Sequence, residues 1–125
     1  MAPPRASDVS SYYVEPTLLV EVNNTMTIAQ QDVLEPVLAV IAHGGGAVRI
    51  ANDSTHGLSG SVFSALPERA IGIAGCIRAR SMSVNGSVWY DADAPYSSYE
   101  ASGIGRQNGI RRFRPGHRGQ VLGRT

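Results

Sequence analysis

Residues 67–79, PERAIGIAGCIRA, constrain this chain more than any other stretch. Ala70, Ile73, Ala74 and Ile77 fall at i, i+3, i+4 and i+7, and Pro67 suits a first helical turn. The spacing predicts a helix with one apolar stripe. Strand-like segments flank it closely, SGSVFSA (59–65) before and SMSVN (81–85) after. The economical way to join strand, helix and strand through short joints is a right-handed crossover between parallel strands.

The same alternation continues upstream. GAVRIAND (46–53) reads as a short helix with Val48 and Ala51 inward. VLAVIAH (37–43) is a nearly continuous apolar run, as expected of a strand buried on both faces. PTLLVEV (16–22) reads as a further strand. The predicted class is therefore α/β: a βαβαβ parallel sheet over residues 37–85 with flanking helices. Its expected buried residues are Val40, Ile50, Val62, Ile73, Ile77 and Val84. Some local choices disagree with that fold. Gly72 and Gly75 sit inside the best helix, and Leu66 stands where a Ser or Asp cap would help.

At 125 residues the chain suits one small domain. It has no apolar run long enough for a membrane helix and no secretory leader, so a cytoplasmic protein is the expectation. The single cysteine, Cys76, excludes an internal disulfide and a cysteine-based zinc cluster. Set on the apolar helix, it reads as a partly buried structural thiol rather than a nucleophile. The histidines His43, His56 and His117 lack metal-ligand spacing. All ten acids lie at or before Glu100, whereas six of the eleven basic residues, all arginine, follow it. That basic tail suggests electrostatic contact with nucleic acid, but without a fold pattern it reads as a solvated end.

The loop after the third strand, VNGSVWYDADAPYSSYEASGIGR (84–106), has neither helical nor strand period. It leaves the carboxyl edge of the expected sheet, where such sheets bind ligands. Gly103, Gly105 and Gly109 give G-x-G-x-x-x-G, one residue too long for the dinucleotide fingerprint. A Walker loop is excluded with its lysine, since the chain has none.

Several anchors, in order, resemble the C-terminal part of NAD(P)-dependent aldehyde dehydrogenases over about Tyr12 to Gly109. QQDVLEPVLAV resembles the family's Q-E-E-I-F-G-P-V. AVRIANDSTHGLSGSVFS resembles A-x-x-x-A-N-x-x-x-Y-G-L-x-x-x-V-F-(S/T). VNG, AP and SGIGR resemble V-N-x…P-F-G-G-x-K-x-S-G-x-G-R. Residues 1–11, rich in Pro, Ser and Ala, read as a flexible head; the resemblance implies a partial catalytic domain at 12–109 and leaves a divergent basic tail at 110–125. It puts Tyr90 and Tyr96 on positions that line the aldehyde pocket. Asp32 takes the position of the acid that bonds the nicotinamide ribose, and Leu34 that of the aromatic that steadies the nicotinamide ring.

Departures from the pattern temper those implications. Asp32 is one methylene shorter than the family's acid, and Glu35 stands where a glycine would ease a tight turn. P-F-G-G-x-K has become PYSSYE, and nothing in these 125 residues matches the nucleotide-binding, catalytic-cysteine or general-base segments. The expectation is a truncated aldehyde dehydrogenase with no catalytic residue of its own. NAD or NADP is the family's cofactor, and alone this chain is not expected to bind it. An aldehyde is the family's substrate. The expected partners are a family member, the other chain of a split enzyme, or a second copy, with neither membrane nor nucleic acid.

Overall fold

A computed structural model describes residues 14–87, 90–109 and 120–124, leaving out the side chains of Arg106 and Arg124. The chain divides into two compact units between Gly46 and Ala47.

In the first unit, β1 (Thr17–Leu19) and β2 (Val37–Ala39) form a parallel pair with Leu18 opposite Leu38. The ladder extends through Thr17 N–H to Pro36 O at 2.9 Å and Val40 N–H to Leu19 O at 2.8 Å. A single turn of helix, α1 (Thr27–Gln30), lies between the strands. Strand 37–39 thus pairs with 17–19, and the expected continuous layer over 37–85 is replaced by two parallel sheets. Nor is this strand buried on both faces: Leu38 is 63% exposed and Val40 is also exposed. A two-stranded sheet has only edges, so cross-strand neighbours cover each side chain on one flank alone.

The second unit holds the predicted crossover. β4 (Ser59–Val62) leads into α3 (Pro67–Cys76), which returns the chain to β5 (Ser81–Val84), parallel to β4. A six-residue helix, α2 (Ala47–Asn52), and β3 (His56–Gly57) precede it. The third strand of this sheet is β9 (Val121–Arg124), parallel to β5 on its other side. The end of the basic tail therefore forms sheet instead of the solvated coil expected there; residues 110–119 lie outside the described residues.

Helix α3 begins without a side-chain cap, as Leu66 foretold, with Pro67 in its first turn. Its buried residues are Ala70 and Ala74, one turn apart, which pack with Ala79, Met82 and Val84. Alanines let the helix approach the sheet closely, so the longer Ile73 and Ile77 fall on the flanks and stay half-buried. Of the six expected core residues only Val84 is fully buried; Ile50 and Val62 are half-buried and Val40 is exposed.

Candidate functional site

Beyond β5 the chain turns at Asn85, whose φ of 55° is one that asparagine tolerates better than most residues. Its side chain copies a strand partner. Asn85 Oδ1 accepts from Ser64 N–H at 2.8 Å and Nδ2 donates to Ser64 O at 3.0 Å. The exits of β4 and β5 are thereby fastened at the edge where the loop departs.

Two short antiparallel ladders shape that loop. β6 (Tyr96–Ser97) pairs with β8 (Arg106–Gln107), and β7 (Tyr99–Glu100) pairs with β3. Asp91 organises the first bend: Oδ1 accepts from Asp93 N–H at 2.8 Å and its carbonyl accepts from Ala94 N–H at 3.3 Å. Gly109 closes the loop by donating its N–H to Ala92 O at 3.0 Å. Its φ is +63° and a Cβ there would lie 2.7 Å from Asp93 O, so both conformation and space require glycine.

Tyr90 and Tyr96 meet in this frame. Their ring centroids are 5.3 Å apart at an interplanar angle of 64°, an edge-to-face contact. Tyr96 is half-buried and Tyr90 is 61% exposed. Two stiff rings with phenol groups at their rims form an apolar wall that a small carbonyl compound could lie against, open to solvent on the Tyr90 side.

The other two expected contacts lie in the first unit, between α1 and β2. Asp32 and Leu34 are both exposed, Leu34 at 91%. Glu35 takes the glycine position without the left-handed backbone that glycine would favour: among the described non-glycine residues, positive φ falls at Glu21, Asn85, Glu100 and Asn108. Its carbonyl accepts from Val37 N–H at 2.6 Å, so the turn closes with the glutamate in place. Asp32 offers two acceptor oxygens for hydroxyl groups and Leu34 an apolar surface. These fit one edge of a nicotinamide riboside. The G-x-G-x-x-G spacing that would aim backbone donors at its pyrophosphate does not occur in the chain. Among the described residues the donor set is too small to constitute a dinucleotide site.

Cys76 differs from its expected setting. It is exposed, at the last residue of α3, beside the stripe residue Ile77, which does pack against the buried cluster. It lines a cleft of about 550 Å³ with Asn52, Arg78, Tyr99, Glu100 and Gln120. The polar side chains of that cleft bind each other and the nearby main chain. Asn52 Oδ1 accepts from Arg78 N–H at 2.6 Å and Asn52 Nδ2 donates to Cys76 O at 2.8 Å. Arg78 Nη2 donates to Ser54 O at 2.6 Å and reaches Glu100 Oε2 at 3.5 Å. Gln120 Nε2 lies 2.9 Å from both Ile77 O and Ala79 O, and 3.2 Å from Ala74 O. The cleft is thus a structural seam, whose polar side chains serve mainly to tie α2, the end of α3 and the start of β5 together. Asn52 and Asn85 sit in motifs singled out in the sequence, although their structural role was not foreseen. Gln120 carried no signal, since its role depends on β9.

Among the described residues no group of three or more His, Cys, Asp or Glu side chains is placed to hold a metal ion, and no helix is long and apolar enough to cross a membrane.

The chain is similar to several known proteins. The sequence model of the aldehyde dehydrogenase family matches residues 2–114. The 3-succinoylsemialdehyde-pyridine dehydrogenase of a Pseudomonas species is 40% identical over 102 residues, which is 80% of this chain and 21% of that protein. The geranial dehydrogenase of Castellaniella defragrans is 36% identical over 107 residues, 84% of this chain and 22% of the relative. Among solved structures, a Mycobacterium tuberculosis aldehyde dehydrogenase complexed with NAD+ superposes with a TM-score of 0.75 at 39% identity, covering 81% of this chain and 21% of that one. The chain spans about a fifth of the length of the relatives it matches.

Proposed function

The chain belongs to the aldehyde dehydrogenase family, and from that premise we propose that it corresponds to the C-terminal part of the family's catalytic domain and does not oxidise aldehydes by itself. The family's reaction is NAD(P)-dependent oxidation of an aldehyde to a carboxylic acid. The observation that carries the proposal is the setting of Cys76, the sole thiol, in a seam whose polar groups serve the fold. Thioester-forming oxidation needs a thiolate at the carbonyl carbon, donors for the oxyanion and a nicotinamide at hydride distance. These groups act as a unit, so lacking several together removes nearly all the rate advantage.

In the second unit Tyr90 and Tyr96 are the proposed aldehyde-side contacts, and in the first unit Asp32 and Leu34 are the proposed nicotinamide-side contacts; in each case other segments of a family member supply the rest. A cytoplasmic location accords with this reading. The test is NAD(P)H absorbance with short aliphatic and aromatic aldehydes, comparing wild type with Cys76→Ala, and cofactor titration on the same folded sample. We expect no turnover and no binding at millimolar cofactor. Turnover that disappears in Cys76→Ala would overturn the proposal and make Cys76 the nucleophile.

A second reading has a specific observation in its favour. Leu18, Val20, Leu38 and Val40 are exposed in and beside the β1–β2 pair, which suits docking onto a full-length aldehyde dehydrogenase, onto the other chain of a split enzyme, or onto a second copy. Co-purification with a co-expressed family member, lost on Leu38→Glu, is the outcome that supports it. A chain that sediments alone in that mixture removes it.

A further inference from the structure

We propose that Asn108 is a deamidation site, and that the fold makes it react faster than Asn85, the other asparagine followed by glycine in this chain. In this reaction the main-chain nitrogen of the following glycine attacks the asparagine Cγ. The new N–Cγ bond forms as the Cγ–Nδ2 bond breaks. The glycine N–H proton passes to solvent base, and the side-chain nitrogen leaves as ammonia. Water then opens the resulting succinimide at either carbonyl, giving aspartate or isoaspartate. Water is the only co-reactant and nothing is oxidised. A following glycine favours the step because no Cβ shields its nitrogen.

The two asparagines differ in what must let go. The Asn85 amide is held on both sides, by Ser64 N–H at 2.8 Å and Ser64 O at 3.0 Å. Its own N–H donates to Val62 O at 2.9 Å, at the end of a strand whose four residues are all buried. Swinging Cγ toward Gly86 breaks both side-chain bonds at the edge of the best-packed sheet. Among the described residues Asn108 makes one side-chain bond, from Nδ2 to Asp91 O at 3.5 Å, the outer limit for such a contact. The attacking Gly109 nitrogen does donate to Ala92 O at 3.0 Å, so the reaction waits on local opening of that bond. The opening occurs beside a ladder of only two residue pairs, β6 with β8, which is where low-energy local unfolding is expected.

The product would act on the tyrosine wall. Aspartate at 108 loses the Nδ2 donor and adds a negative charge near Asp91. Isoaspartate also lengthens the main chain by one methylene, at a residue held at φ 60° next to Gln107, the strand partner of Tyr96. Either change loosens the frame that brings Tyr96 against Tyr90.

Trypsin separates the two sites, because cleavage after Arg80, Arg106 and Arg111 puts Asn85 and Asn108 in different peptides. The full chain is incubated in mildly alkaline buffer, with and without urea, and each peptide is followed by mass spectrometry for exchange of amide for acid. In urea the two sites are expected to convert at comparable rates. In buffer Asn108 is expected to convert several-fold faster than Asn85, chiefly because Asn85 is slowed relative to urea. Equal rates in buffer, or faster conversion of Asn85, overturn the proposal whatever the absolute rates. So does the absence of conversion at Asn108 in buffer while it proceeds in urea.

Discussion

Strands β5 and β2 invert what their sequences suggest. SMSV carries two serines in four residues, yet every residue of β5 is buried. VLA lies within an apolar run, yet Leu38 is mostly exposed and Val37 and Ala39 are only half-buried. The difference lies in neighbours. β5 is the central strand of three, and α3 lies against it through Ala70 and Ala74. β2 has one strand beside it. Apolar composition measures how much a segment would gain from burial, whereas its place in the sheet decides whether burial happens.

The largest expected effect tests the β5 side. Met82 is 1% exposed and belongs to the buried cluster with Ala70, Ala74, Ala79 and Val84. Met82→Ala should cost about 2–5 kcal/mol. The cluster is small for a chain of this length, so we expect the variant to lose cooperative urea unfolding altogether. A variant that keeps a sharp transition at nearly the wild-type midpoint would show that this cluster does not hold the second unit together.

Next comes Gly57→Ala. A Cβ on Gly57 would lie 2.7 Å from Arg78 O and 3.0 Å from Tyr99 Cβ. Tyr99 cannot shift without disturbing the β3–β7 pair, and Arg78 is held through its N–H by Asn52, so the expected cost is roughly 1–3 kcal/mol by overpacking. Gly72→Ala is the matched control, since nothing lies within 4 Å of its added Cβ. In a helix interior it should stabilise by about 0.5–1 kcal/mol. Chemical denaturation that gave the two substitutions the same sign would break the packing account.

Gln120→Ala should cost about 1–2 kcal/mol, because it removes the Nε2 donor from carbonyls at the end of α3 and the start of β5. Its sharper readout is local. Amide exchange should quicken in β9 and at the end of α3 while β1 and β2 are unchanged. Uniform quickening would mean that β9 is not a separate clamp.

These variants also mark what the sequence made legible. The crossover 59–84 was readable because helical spacing in 67–79 and short joints leave few ways to connect the elements. The helix ends at Cys76, three residues short of the segment 67–79, because Ile77 takes extended backbone and closes onto Ala74 O. The partner of strand 37–39 was not readable, since pairing with 17–19 depends on a match between segments and on no local pattern. The same holds for β9: VLGR has no signal of its own and is strand because β5 offers it an unpaired edge. At the site, the resemblance singled out Tyr90 and Tyr96, whose rings touch edge to face, and their role as a pocket wall is a proposal. Asp32 and Leu34 lie in one exposed segment between α1 and β2, and their roles are likewise proposals.

The smallest expected change in stability belongs to Leu38→Glu, and it sharpens the opening contrast most directly. Leu38 is 63% exposed, so little apolar area returns to water when it is replaced. A surface change of this kind usually stays within about 0.5 kcal/mol. The larger effect should be on association. Leu18 sits directly across the pair from Leu38, and Val20 and Val40 continue the exposed row. Parallel sheets are rarely left open in this way, and such a row invites contact with another molecule. Wild-type chain should therefore gain mass with concentration in sedimentation, and Leu38→Glu should lower that tendency at an unchanged unfolding midpoint. Phe63→Glu is the comparison, since Phe63 is more exposed but belongs to the second unit, just beyond β4. If Leu38→Glu shifts the midpoint as far as Met82→Ala does, β2 is covered after all and the contrast with β5 fails. Wild type that stays monomeric and melts cooperatively above about 60 °C, beyond the middle of the range for small domains, would likewise show that the open row is no liability.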